Sequence, residues 1–337
     1  MIIVMKVGAP SKEIDAVSQF IRDAGLTPHP MIGVERTVFG VIGDIDKSFE
    51  ERVQTFESVD IVQRVSKPYK LASRQVATND SVVYVDGVPV GGEHFTVIAG
   101  PCSVETEEQI ISTAKAVKKS GAKLLRGGAY KPRTGPYAFH GLGEDGLKLL
   151  ALAKKETGLP IVAEVKTPAL VELACQYIDA IQIGARNMQN YDLLIEAGKS
   201  GKPVILKRGL WATYEEWLLA AEYILSQNNP NVILCERGIR TFETYTRNTF
   251  DIAAVSVIHE LSHLPIITDP SHAVGKWKFV EPMSMASVAA GANGLMIEVH
   301  PNPDKAFSDG NQSLTFENFD KLMNNIKPLL QVMKKSL

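Results

Sequence analysis

Residues 124–143, LLRGGAYKPRTGPYAFHGLG, place Arg126, Lys131 and Arg133 in and just after one short apolar run. The 337-residue chain carries 36 Lys and Arg against 38 Asp and Glu, a formal net charge of −2. The cluster is therefore a local feature. Other apolar runs end in the same way. AIQIGA runs into Arg186, PVILKR ends in Lys207 and Arg208, and VILCER ends in Glu236 and Arg237. Like charges gathered on one surface cost free energy unless an anion neutralises them. A phosphate monoester, with a charge of about −1.5 to −2 and oxygens that accept bidentate bonds from arginine, is the natural partner. Lys207 and Arg208 are adjacent, so in a strand they face opposite ways and only one can reach a shared site. Arg208 reads as structural.

A second set of residues has metal-binding character. Cys102 follows FTVIAGP, Asp269 and His272 lie in TDPSH, Glu298 and His300 in IEVH, and Asp309 in the next loop. A carboxylate at the end of a buried strand must be paired or bound to metal. Cysteine, histidine and two carboxylates suit a divalent transition ion such as Mn, Fe, Zn or Co better than Mg or Ca. Spacing does not choose between His272 and His300, or between Asp269 and Asp309. Taken singly, each residue has a plainer reading. A lone arginine at a strand end is usually solvated or salt-bridged, Cys102 could be a small buried hydrophobe, His272 could cap a turn, and Glu164 could be an ordinary ion-pair partner. Four basic strand ends on one rim are poorly explained that way. Cys175 reads as helix packing and Cys235 as strand interior.

These residues need a scaffold that brings strand ends together. From residue 95 onward, short β-branched runs alternate with amphipathic stretches: 95–100, 123–127, 160–165, 180–185, 203–208, 232–237, 265–270 and 294–299. Eight such units in about 240 residues predict an α/β fold of the (β/α)8 TIM-barrel type. A doubly wound open sheet less often has eight evenly spaced units. In a barrel the chemistry sits at the C-terminal strand ends, where all the residues above fall. Period-two parity puts Gln182, Gly184 and Arg186 on one side of their strand, and Cys235 and Arg237 on one side of theirs.

Residues 1–66 read as a separate βαββαβ unit, the ferredoxin-like arrangement. Its first helix has Ser11 as a candidate N-cap, an apolar stripe of Ile14, Val17, Phe20 and Ile21, and Gly25 as a stop. Residues 67–94 read as a linker followed by a hairpin turning at Asp86-Gly87, and 95–337 as the barrel. Apolar content of 45% and charged content of 22% are those of a globular protein. No apolar run of about 18 residues exists to span a membrane. The opening MIIVMKVGAPSKE reads as a strand, since it lacks a basic leader and a cleavage site. A cytoplasmic location is expected. The near-neutral charge argues against a nucleic-acid partner, and three cysteines are too few for a disulfide framework.

The stretches AGPCSVE, LLRGGAYKPRT, QIGARNMQN, ILKRG, CERGIRT, DPSH and IEVHPNPDKAFSDGNQSL together resemble the 3-deoxy-D-arabino-heptulosonate 7-phosphate (DAHP) synthase family. The resemblance covers about residues 95–337 and extends to the N-terminal module of one subfamily. It implies condensation of phosphoenolpyruvate with erythrose 4-phosphate, at the start of the shikimate pathway. It implies Cys102, His272, Glu298 and Asp309 as ligands of one divalent metal ion. It implies Arg126, Lys131, Arg186, Lys207 and Arg237 as the phosphoenolpyruvate site, and Pro132, Arg133, Thr134 and Asp269 at erythrose 4-phosphate. Lys131 is the candidate proton donor and Glu164 the candidate for positioning water. Gly135 and His140 depart from the family pattern, where Ser and Gln are common.

By the same resemblance the N-terminal unit would bind an aromatic amino acid, Tyr or Phe or both, as a feedback effector, and the protein would be a homotetramer. The competing family is 3-deoxy-D-manno-octulosonate 8-phosphate synthase, which shares the barrel but takes arabinose 5-phosphate. KPRT at 131–134 resembles the first family, the second having a Lys-Ala-Asn-Arg-type motif and, in metal-independent members, Asn at the position of Cys102. Two further alternatives are a metal-free aldolase with a Schiff-base lysine at 131 or 207, and an amino-acid sensor on an inactive barrel.

Overall fold

The structure, a computed structural model, describes residues 1–33, 36–43, 45–63, 68–77, 79–131 and 137–337. Pro132, Arg133, Thr134 and Gly135 lie outside the described residues. The chain divides into two units, Met1–Asn79 with Glu260–His263, and Asp80–His259 with Leu264–Leu337.

The first unit is an antiparallel sheet with two helices. Strands β1 (Ile2–Met5), β2 (Thr27–Ile32), β3 (Thr37–Ile42) and β4 (Val59–Gln63) pair in the order β2-β3-β1-β4. This is the ferredoxin-like order expected from the βαββαβ sequence. Pro28 and Pro30 cannot donate to a ladder, and β2 is accordingly an edge strand. Helices α1 (Ser11–Asp23) and α2 (Lys47–Val53) bury Val17, Ile21, Phe49 and Val53 with Ile3, Met5, Phe39 and Val41 of the sheet. Ser11 is not the N-cap. Pro10 holds that position with no side-chain cap bond, and Ser11 is already the first helical residue. Asp46 caps α2 through a 2.7 Å bond from the Phe49 amide.

The second unit opens with a two-stranded hairpin, β5 (Val82–Val85) and β6 (Val88–Gly91). Asp86 and Gly87 both have positive φ, 45° and 83°, as a tight I′-type turn requires. Eight parallel strands then close into a barrel: β7 (Thr96–Gly100), β8 (Leu124–Arg126), β9 (Ile161–Glu164), β10 (Ala180–Ile183), β11 (Val204–Lys207), β12 (Val232–Glu236), β13 (Ile266–Thr268) and β14 (Gly294–Glu298). Each falls inside one of the eight runs read from the sequence. The open-sheet alternative is excluded, because β14 pairs with β7.

One layer of the barrel interior is apolar. Ile98, Leu124, Val162, Ile205, Ile267 and Met296 are essentially inaccessible there, and Val83, Val85 and Val90 of the hairpin join the same cluster. Two residues further along each of these strands, on the same face by strand parity, come Gly100, Arg126, Glu164, Lys207, Asp269 and Glu298. The packed layer thus forms the floor beneath the functional ring, and its β-branched and long aliphatic side chains fix where that ring stands.

Candidate active site

The cavity above that floor has a volume of about 370 Å³ and is lined by Arg126, Lys131, Glu164, Arg186, Lys207, Arg237, His272 and Asp309, with Gln182, Gly184, Ala185, Leu210, Arg240, Arg247 and Asn248. Seven of these residues are cations. Arg126 Nε and Arg237 Nη1 are buried and have no hydrogen-bond partner among the described residues. A buried donor without an acceptor costs about 1–3 kcal/mol, so these atoms favour a bound acceptor such as an anion. Burial pulls the Arg237 pKa below its ordinary value, which makes its charge still more dependent on a counter-ion.

Lys131 owes its place to Gly128. A β-carbon at residue 128 would lie 2.6 Å from Cys102 O and 2.8 Å from Lys131 Cδ. Without it the lysine folds back, donating from Nζ to Cys102 O at 2.9 Å and to Cys102 Sγ at 3.0 Å. Burial works against its charge, but Cys102, Glu164 and Glu298 outweigh it and hold the ammonium above its ordinary pKa. Lys207 forms a short ion pair with Asp269. Arg208, its neighbour, points elsewhere and bonds Glu236 Oε2 at 3.0 Å and Asp251 Oδ2 at 2.7 Å. Strand parity had separated the two, and Glu236 at the end of β12 belongs to the outer side with Arg208.

At one edge of the cavity Cys102, His272, Glu298 and Asp309 offer ligand atoms that all lie within 4.8 Å of one another. His272 Nε2 is 3.3 Å from Glu298 Oε1 and 4.0 Å from Asp309 Oδ2. Cys102 Sγ is 3.4 Å from Asp309 Oδ2. Asp309 reaches this spot from a left-handed backbone, φ 52°, a conformation aspartate tolerates better than most residues. Burial keeps the His272 imidazole below its ordinary pKa despite the pull of Asp269. Its Nδ1 is engaged by Asp269 Oδ2 at 2.7 Å, so Nε2 carries the free lone pair. A carboxylate on the far nitrogen is the usual support of a metal-binding histidine.

Burial raises Glu298, but His272, Arg126 and Lys131 outweigh it and keep it ionised well below the ordinary range; its closest partner is Arg126, at 2.5 Å. Asp309 is also held low, with His272, Arg247 and Lys131 overcoming burial and Glu298. The Cys102 thiol is pushed up to about 12, by burial and then by Glu298. One thiol, one imidazole and two carboxylates converge from the loop after β7, the short helix Pro270–Val274, β14 and the loop after β14. That donor set fits a four-coordinate divalent transition ion.

Among the alternatives the sequence left open, His272 and not His300 lies in this cluster. His300 Nε2 instead meets Glu105 Oε2 at 3.3 Å. Asp309 is in the cluster, and Asp269 stands behind His272. Asp269 is fully buried, with its oxygens taken by His272 N, His272 Nδ1 and Lys207 Nζ, so it does not line the cavity where a sugar would lie. Glu164 does line it, and accepts from Gln182 Nε2 at 3.4 Å. Sequence reasoning missed Arg240, Arg247 and Asn248. All three lie in the loop after β12, a barrel position where basic residues were the available signal.

Residues 73–332 match the DAHP synthetase I family, and residues 1–67 match the DAHP synthase ferredoxin-like domain. The chain belongs to the DAHP synthetase I family. It is 48% identical over 333 residues to the phospho-2-dehydro-3-deoxyheptonate aldolase of Thermotoga maritima, covering 99% of this chain and 98% of that protein. A crystal structure of that DAHP synthase superposes with a TM-score of 0.79 at 47% identity, again over 99% of this chain and 98% of the other. The 2-dehydro-3-deoxyphosphooctonate aldolase of Syntrophotalea carbinolica is 34% identical over 269 residues, 74% of this chain and 96% of that protein. Membership of the DAHP synthetase I family makes the chain an enzyme, a transferase. Among the described residues no helix is long and apolar enough to cross a membrane.

Proposed function

We propose that this chain joins phosphoenolpyruvate to erythrose 4-phosphate, with water, to give DAHP and phosphate, and that the reaction depends on a divalent metal. One observation carries this reading: a cavity ringed by Arg126, Lys131, Arg186, Lys207 and Arg237 abuts the Cys102–His272–Glu298–Asp309 cluster. An ion held by those four residues would act as a Lewis acid toward the aldehyde carbonyl. The chain does the rest. Arg126, Arg186, Lys207 and Arg237 hold the phosphate and carboxylate of phosphoenolpyruvate, offsetting the repulsion between two anionic substrates and orienting them. Lys131, charged and 3.0 Å from Cys102 Sγ, stands where it can give a proton to the developing alkoxide. Glu164 positions the water that adds at C2. Arg133, Thr134 and Pro132 receive erythrose 4-phosphate.

Phosphate release from phosphoenolpyruvate with erythrose 4-phosphate, and separately with arabinose 5-phosphate, tests the reading. Turnover only with the tetrose, lost in chelator and restored by Mn, Fe, Zn or Co, is expected. Turnover only with the pentose would reverse the choice of substrate, and chelator-resistant turnover would remove the metal. A Schiff-base aldolase would survive chelator and be trapped by borohydride.

The proposal extends to regulation. Residues 1–66 act as a feedback unit for Tyr or Phe, residues 67–94 join it to the catalytic barrel of 95–337, and the enzyme works as a cytoplasmic homotetramer. The match of residues 1–67 to the ferredoxin-like domain supports the assignment of a separate N-terminal unit. A solved truncated form of the Thermotoga maritima synthase superposes on 79% of this chain with a TM-score of 0.74, and truncation of this chain by residues 1–66 is the corresponding test. Deletion should preserve turnover and abolish inhibition by Tyr and Phe. Inhibition retained after deletion would place the effector elsewhere.

A further inference from the structure

Each carboxylate in the metal-ligand cluster faces it with one oxygen only. Glu298 turns Oε1 to His272, an oxygen that also accepts from Arg126 Nη1 at 2.5 Å, and Asp309 turns Oδ2 to His272 and Cys102. The second oxygens are taken. Glu298 Oε2 accepts from Gln312 Nε2 at 2.6 Å. Asp309 Oδ1 meets Arg247 Nη1 at 3.3 Å, and the same nitrogen donates to Gln312 Oε1 at 2.8 Å. The amide of Gln312 can point only this way. Flipped, it would set oxygen against the Glu298 carboxylate and NH2 against a guanidinium. Gln312 is 2% exposed. It lies three residues after Asp309 on the same short turn, where its amide bonds Asp309 O at 3.2 Å.

We propose that Gln312 is a positioning residue of the metal site. Braced by Arg247, it withholds Glu298 Oε2 and Asp309 Oδ1, so that both carboxylates act as one-oxygen ligands beside Cys102 and His272. This rests on the reading that the four residues hold a divalent ion. It assigns a task to a buried side chain that is not among the residues lining the cavity. A carboxylate free to rotate can chelate through both oxygens and raise the coordination number. Gln312 removes that freedom for Glu298 by a charge-assisted bond, and Arg247 removes it for Asp309.

The test uses the full chain and reads metal, not turnover. Gln312→Met keeps length and burial but deletes both bonds; Arg247→Met, at a half-exposed position, deletes the brace with little risk to folding. Mn²⁺ affinity is measured by chelator competition, and the visible spectrum of the Co²⁺-loaded protein reports coordination geometry. Gln312→Met should weaken Mn²⁺ binding by about 10–100-fold and weaken the intense bands of a four-coordinate Co²⁺ site. Arg247→Met should shift both readouts in the same direction by less. Wild-type affinity and an unchanged Co²⁺ spectrum in either folded variant would overturn the proposal while leaving the metal reading intact. No Mn²⁺ or Co²⁺ binding by the wild-type chain would overturn both.

Discussion

Gly184 is a glycine for reasons of space. Its backbone, φ −68° and ψ 154°, is ordinary extended chain open to any residue. A β-carbon there, however, would lie 2.0 Å from Glu164 Oε1. To reach ordinary contact near 3.4 Å the carboxylate must withdraw by about 1.4 Å. Glu164 can do so cheaply, because it is half-buried and its one hydrogen bond among the described residues, from Gln182, is long at 3.4 Å. An off-rotamer glutamate costs about 0.5–1.5 kcal/mol. Replacing glycine by alanine in an unstrained position returns about 0.4–1 kcal/mol through the unfolded state. Gly184→Ala should therefore change stability by less than about 1 kcal/mol.

Its activity should not be spared. A displacement of about 1 Å in a catalytic group can cost about 100-fold, so kcat should fall by one to two orders of magnitude. KM for phosphoenolpyruvate should move little, since no cation is disturbed. Glu164→Asp, one methylene shorter, relieves the clash. In that background Gly184→Ala should add almost no further loss, a strongly non-additive double-mutant cycle. A Gly184→Ala enzyme with wild-type kcat would show that the place of Glu164 is immaterial. Additive losses in the double mutant would show that alanine acts by another route.

Arg208→Met should destabilise the fold by about 3 kcal/mol, because it strands the fully buried Glu236, while kcat per folded molecule, from chemical denaturation and assay together, stays near wild type; a selective loss of activity would put Arg208 in the site. With the Cys102 thiol pushed up to about 12, the metal-free protein holds that proton at neutral pH, and its ligation must expel it. Calorimetry in buffers of different ionisation enthalpy should record about one proton released per ion, with affinity rising about tenfold per pH unit; zero release would remove Cys102 from the ligand set. Glu298 now neutralises Arg126, so a divalent ion on that carboxylate frees the cation for substrate. Phosphoenolpyruvate should bind the Mn²⁺-loaded chain about tenfold more tightly than the metal-free one, with a reciprocal gain in metal affinity; equal dissociation constants would refute the coupling.

The barrel was legible because parallel strands buried on both faces read as short β-branched runs, and each of the eight runs holds one strand. Strand parity also sorted Lys207 from Arg208. Local turn chemistry found the Asp86-Gly87 hairpin but not its packing with Ile98 and Met296, which only the folded chain brings together. The choice of His272 over His300 was hidden for a related reason: nothing in the spacing says which histidine has a carboxylate at its back, and Asp269 supplies it through space. The meeting of Arg247 and Gln312 was not legible at all. They sit in loops with no period to read, 65 residues apart, and meet through one hydrogen bond. Ser11 misled because a serine before an apolar stripe fits both the cap and the first turn.

The free protein tolerates a ring of cations because its acids are distributed unevenly. Glu298, Asp269 and Asp309 pair with Arg126, Lys207 and Arg247. Arg186, Arg237 and Arg240, which line the same cavity, have no ion pair among the described residues. Arg186 and Arg240 are exposed and keep their hydration at little cost. Arg237 is buried, carries an Nη1 without a partner and is pulled toward its neutral form. Like Arg126 Nε, that nitrogen is out of reach of water. A fully paired ring would be more stable and would bind an anion only by first breaking its own salt bridges. Leaving a buried guanidinium without an ion pair places the cost of the site in the free protein, where an arriving phosphate can relieve it, and this converts instability at a single residue into affinity.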